Sequence, residues 1–222
     1  MIRSRSGRCV AFDLDDTLYD EMDYVRSGFA AVALAVHERF GTDVAAGLGA
    51  ALDRAQPAGA FDAAVREYGL PADALAFMIE TYRGHRPDIR LREGARDTLE
   101  AARRRDGVVG CITDGRSATQ RQKLAALGLE RFFEVLLISE ETGHAKPDPF
   151  NFRELMRLVA ADRFWYVADN PAKDFVAPNA LGWTTVGIAS GRGVHRPEGE
   201  VSAGYPPRHR VAGFQQLQDL LG

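Results

Sequence analysis

From residue 95 onward the chain alternates between stretches with helical apolar spacing and short apolar runs of strand length. That alternation limits the fold more than any other feature. "EGARDTLEAARRR" predicts a helix, "GVVGCIT" a strand, "SATQRQKLAALG" a helix and "EVLLIS" a strand. "PFNFRELMRLVA", "FWYVAD", "AKDFVAPNALG" and "TTVGI" continue the alternation, and "FQQLQDLL" closes it with a helix. With "VAFDL" near the N-terminus this gives five short buried strands separated by helices. The pattern belongs to an α/β fold, a doubly wound and mostly parallel sheet covered on both faces.

Strand one is separated from the rest by a block with no strand signal. From Tyr24 to about His85 the spacing is helical throughout, Ala-rich and punctuated by Gly41, Pro57, Gly69 and Pro71, and it predicts four helices. The expected organisation is an α/β core from residues 1–18 and 88–222, with residues 19–87 inserted as an all-helical domain. No internal repeat is present.

Composition narrows the function. The net charge is -3 and the pI near 6.0, without the positive field that nucleic acid or an anionic membrane calls for. We therefore expect no nucleic-acid and no membrane partner, and any bound anion must be held by a local site. Cys9 and Cys111 lie in apolar runs, the N-terminus has no apolar stretch of signal-peptide type, and no segment reaches the ~20 apolar residues of a membrane span. A cytoplasmic protein, monomer or homodimer, is the expectation.

In such a sheet, ligands bind beyond the carboxyl ends of the strands, and here those ends are crowded with polar groups. "VAFDLDDTLYD" places Asp13, Asp15 and Asp16 after strand one; "CITDG" ends in Thr113, Asp114 and Gly115; the loop after "LLIS" holds Lys146; "FWYVAD" ends in Asp169, with Asp174 soon after. Asp13 and Asp15 are two apart and on an extended chain project to one side. At ~5 Å and an effective dielectric near 20 they repel by about 3 kcal/mol, enough to force a proton onto one. With Asp169 and Asp174 added the cluster calls for a cation, and an oxygen-only set suits Mg²⁺. Lys146, the Thr113 hydroxyl and the backbone N–H groups around Asp114 and Gly115 would then receive a tetrahedral dianion. This points to phosphate chemistry and leaves open whether an Asp attacks.

"DLDDT", "ITDG", "KPDP" and "ADNPAKD" resemble, in order, the four motifs of the haloacid dehalogenase (HAD) superfamily of phosphohydrolases, across the whole chain. The resemblance implies a Rossmann-like core with a C1-type helical cap. It implies that Asp13 is the nucleophile that forms an aspartyl-phosphate, and that Asp15 gives a proton to the leaving oxygen and later takes one from water. Mg²⁺ would be held by Asp13, by Asp15 through its carbonyl and by Asp169, with Asp174 as an outer-shell or alternate ligand. Thr113 and Lys146 would hold the phosphoryl oxygens, with Asp114 and Gly115 in substrate binding. The implied activity is hydrolysis of a small phosphate monoester, a nucleotide or sugar phosphate.

Two alternatives stand beside it, a sugar phosphomutase of the same superfamily and a non-catalytic protein that binds a phosphate ligand. The chain departs from the family's pattern at Asp16 and Ala168, where relatives commonly have Gly; Asp16 is read as a solvated turn residue. Arg26, Arg83, His85 and Arg86 are candidate substrate contacts in the cap, although an ordinary helix-surface position explains each. His144 is read as a loop residue. "SGRGVHRPEGEVSAGYPPRHR" has no periodicity and is read as a loop near the mouth of the site.

Overall fold

A computed structural model describes residues 2–54, 57–189 and 205–222. In chain order the elements begin with β1 (Ile2–Arg3), β2 (Arg8–Phe12), α1 (Glu21–Phe40), α2 (Ala45–Asp53), α3 (Ala60–Glu67) and α4 (Ala74–Gly84). There follow α5 (Ala95–Asp106), β3 (Val109–Thr113), α6 (Ser117–Ala126), β4 (Val135–Ile138), α7 (Ser139–Thr142) and α8 (Phe150–Leu158). The last are β5 (Val159–Ala160), β6 (Arg163–Ala168), α9 (Val176–Ala180), β7 (Thr184–Ile188), β8 (His209–Val211) and α10 (Phe214–Leu221).

The main sheet runs β4-β3-β2-β6-β7-β8 with every neighbouring pair parallel. Numbered by chain order within the sheet, this is 3-2-1-4-5-6, the doubly wound arrangement whose order reverses beside the first strand. The strands at that reversal are β2 and β6, with Phe12 opposite Val167. All five residues of β2 and of β3 are buried, which explains why they read as continuous apolar runs. On one face of the sheet Ile112, Phe152, Leu155, Tyr166, Phe175 and Trp183 belong to a single apolar cluster. The α/β, doubly wound class read from the sequence is the class observed.

The chain divides into two compact units, Met1–Asp20 with Arg90–Gly222, and Glu21–Ile89. The second holds α1 to α4 and no strand among its described residues. Its interior contains an aromatic group in which Tyr24 meets Tyr82 edge-on at 5.4 Å and the buried His85 lies 4.9 Å from Tyr24.

Three features were not read from the sequence. β1 pairs with β5 over only two residues each, too short for any periodicity to register. α7 is a four-residue helix in the stretch read as a loop after β4. The sheet has a sixth strand, β8, where a loop was expected; of its three residues only Val211 is buried, so it carries no apolar alternation. Of that expected loop, residues 205–208 are irregular and residues 190–204 lie outside the described residues.

Candidate active site

The order reversal brings the ends of β2 and β6 together, and with them Asp13 and Asp169. Asp13 continues the ladder, its N–H donating to the Val167 carbonyl at 2.9 Å. From the loop after α7 the fully buried Lys146 reaches in; its Nζ lies 2.8 Å from Asp13 Oδ1 and 2.8 Å from Asp174 Oδ1. Lys146 also donates to the Tyr166 hydroxyl at 3.1 Å. Asp174 is fixed by the N–H of Asn170, which donates to its Oδ2 at 3.0 Å. Carboxylate oxygens of Asp13, Asp169 and Asp174 all lie within 4.8 Å of one another. Burial pushes the Asp13 carboxyl up against the pull of Lys146, and Asp169 is pushed up to about 8 by burial and by Asp13 and Asp174.

Asp15 is placed differently from the sequence expectation. Repulsion from Asp13 was the only charge weighed for it, and Asp15 has its own cation: Lys123 Nζ lies 2.6 Å from its Oδ1. The Tyr19 hydroxyl donates to the same oxygen, and Gln120 Nε2 donates to Oδ2 at 2.8 Å. Burial acts to raise the Asp15 pKa, but the charge of Lys123 and these three hydrogen bonds outweigh it, and the net shift is downward. In this arrangement Asp15 is a carboxylate that accepts, and its side chain stands outside the three-acid cluster.

The two expected substrate contacts have local partners. Gly115 N–H donates to Ser139 Oγ at 2.9 Å. Asp114 braces the site: its Oδ1 accepts from the Lys146 backbone N–H at 3.1 Å, and its Oδ2 from Lys173 Nζ at 3.1 Å. Thr113 is fully buried, and its Oγ1 accepts from Gln120 Nε2 at 2.6 Å. Gly115 has φ 132, and a Cβ there would meet the Gln120 side chain at 3.3 Å.

A family profile described as haloacid dehalogenase-like hydrolase matches residues 8–182. The chain belongs to the haloacid dehalogenase-like hydrolases. Phosphoserine phosphatase of Thermus thermophilus is 33% identical over 62% of the chain and 56% of its own length. Pyrimidine 5'-nucleotidase of Escherichia coli is 32% identical over 58% of the chain and 55% of its own. The matches thus span about half the length of these curated relatives. Among solved structures, magnesium-bound YfnB of Bacillus subtilis superposes with a TM-score of 0.67 at 22% identity, over 97% of this chain and 98% of that one. A 2-haloacid dehalogenase of Pseudomonas syringae gives 0.64 at 23% over 100% and 98%. At these identities the structural likeness concerns the fold.

In this haloacid dehalogenase-like hydrolase the donor set suits a hard cation. Three convergent carboxylates, two of them buried, offer oxygen only, and Thr17 Oγ1 donates to Asp169 Oδ1 at 3.3 Å, fixing one of them. This fits a small divalent ion that keeps part of its water shell. The fit involves Asp13, Asp169 and Asp174, without the side chain of Asp15.

Gln120, Lys123, Tyr19 and Lys173 were not singled out from the sequence. A signal for two of them exists: Gln120 and Lys123 take the i and i+3 positions of the α6 face that buries Leu124, so polar residues occupy core-facing places. Asp16 has φ 53, which accounts for the family's preference for Gly, but it is buried where a solvated turn was expected. His144 stacks on Phe150 with ring centroids 4.1 Å apart, and its Nδ1 lies 2.9 Å from Asp148. Arg26 pairs with Asp23 at 2.7 Å, and Arg83 and Arg86 are exposed.

Proposed function

We propose that the protein is a Mg²⁺-dependent phosphatase of a small phosphate monoester, acting through a phosphorylated Asp13. The observation that carries this reading is the buried Lys146 ammonium, 2.8 Å from both Asp13 and Asp174, at the edge of a three-carboxylate cluster. A nucleophilic carboxylate needs its charge offset before a phosphoryl dianion can approach, and Lys146 is built into the site to do that. The relatives named above as a phosphatase and a nucleotidase support phosphate esters as the substrate class.

A divalent ion held by Asp13, Asp169 and Asp174 would supply further positive charge for the phosphoryl oxygens. Asp13 bonds to phosphorus as the ester P–O bond breaks, and the departing oxygen takes a proton and leaves as the alcohol. Water then bonds to phosphorus and gives a proton to Asp15, while the Asp13–phosphorus bond breaks and its electron pair returns to the Asp13 carboxylate. The proton gained by Asp15 is the one available to the next leaving oxygen, which closes the cycle. Thr113 and Lys146 hold phosphoryl oxygens, and the helical unit Glu21–Ile89 would select the ester as a cap.

Phosphate release from a panel of nucleotides and sugar phosphates tests this. Turnover with Mg²⁺, its loss in EDTA, and its loss in Asp13→Asn are expected. Conversion of a hexose 1-phosphate to the 6-phosphate without free phosphate would replace the reading with a mutase.

A further inference from the structure

Helix α6 sends two polar side chains into the interior. Gln120 is 1% exposed and Lys123 4%. Burying an amide and an ammonium costs several kcal/mol unless each meets a partner, and both meet theirs on Asp15. Lys123 Nζ lies 2.6 Å from Oδ1, and the Tyr19 hydroxyl, whose ring lies under that ammonium, donates to the same oxygen. Gln120 Nε2 spends one proton on Asp15 Oδ2 at 2.8 Å and the other on Thr113 Oγ1 at 2.6 Å. A carboxylate has about four acceptor positions. Among the described residues three are taken, and the fourth is on Oδ2, the oxygen that shares a donor with Thr113.

We infer that Gln120 and Lys123 are positioning residues that orient Asp15 so that Oδ2 receives the proton of the hydrolytic water. This rests on the phosphatase reading above. Lys123 and Tyr19 saturate Oδ1 and leave Oδ2 as the accepting atom. Gln120 sets that atom against the hydroxyl that holds a phosphoryl oxygen, so base and phosphorus keep a fixed separation. In the step served, the water oxygen bonds to phosphorus, its proton passes to Oδ2, and the Asp13–phosphorus bond breaks with its electron pair returning to Asp13. A purely structural ion pair would weaken the fold without slowing one half-reaction over the other.

The test uses the full chain with p-nitrophenyl phosphate and Mg²⁺, reading kcat, KM and, after acid quench, the mass of the peptide that carries Asp13. In Gln120→Leu and Lys123→Met, kcat falls about 10²-fold with KM little changed. The phosphorylated peptide accumulates in the steady state, and Lys123→Arg recovers part of the rate. A lost kcat without accumulation, or an unchanged kcat, overturns the inference. If circular dichroism shows Lys123→Met unfolded, Gln120→Leu carries the same test alone. Two controls separate the layers. An active Asp13→Asn breaks the phosphatase reading itself, whereas accumulation in Asp15→Asn but not in Gln120→Leu or a folded Lys123→Met defeats only this inference.

Discussion

Lys146 is the residue whose loss most disturbs the site, because it is the cation that stands between Asp13 and Asp174, both buried. Lys146→Met leaves two carboxylates facing each other out of water. Phosphatase kcat is expected to fall about 10²- to 10³-fold, the cost of removing a preorganised charge at a developing oxyanion. Urea unfolding without added metal should show a loss of about 3–5 kcal/mol; a stability equal to wild type would mean the ion pair does not exist in solution. Asp13, Lys146, Asp169 and Asp174 could be picked out in the sequence because each follows a strand end, and strand ends are legible from apolar runs. The partners of Asp15 could not. Lys123 is 108 positions away, and only the winding of the sheet turns that face of α6 toward the end of β2. The expectation that repulsion forces a proton onto Asp13 or Asp15 counted the acids without the lysine supplied to Asp15 from elsewhere in the chain.

At the scale of elements, the strand order does most to make the site. Placing β2 beside β6 at the reversal joins two acid-bearing ends that lie far apart in sequence. The opposite end of β2 is tied down by a buried pair: Arg8 Nη2 lies 2.8 Å from Asp106 Oδ2 at the end of α5, and Arg8 Nη1 donates to the Leu221 carbonyl of α10 at 3.0 Å. Ser6 Oγ donates to Asp106 Oδ1 at 2.7 Å. Asp106→Ala strands the guanidinium, and the unfolding free energy in urea should drop by about 3–5 kcal/mol. The double change Arg8→Met with Asp106→Leu should cost clearly less, because no charge is left unpaired; equal losses would contradict a paired role. Elements with sustained periodicity were readable, among them the strands β2, β3, β6 and β7 and the helices α1 and α5. β8 and the β1–β5 pair were not, because two or three residues held by backbone bonds leave no pattern in side chains.

For the molecule as a whole, the two thiols report on the integrity of the α/β unit. Burial, with Glu134 and Asp106 adding to it, pushes the Cys9 thiol up to about 12, and burial also pushes Cys111 up. At pH 8, far below those values, both are protonated and enclosed. A chromogenic disulfide reagent should therefore find no reactive thiol in the native protein and two in guanidinium; fast labelling of the native state would mean the β2–β3 core opens readily. The chemistry of the whole molecule turns on the proposal that Asp13, set among Asp169, Asp174 and Lys146, accepts a phosphoryl group with a divalent ion's help. Its most direct test is phosphate release by the wild type and by Asp13→Asn from the same set of phosphate monoesters, with Mg²⁺ and with EDTA. Release is expected only from the wild type and only with Mg²⁺; release by Asp13→Asn at the wild-type rate would mean that Asp13 is not the phosphoryl acceptor.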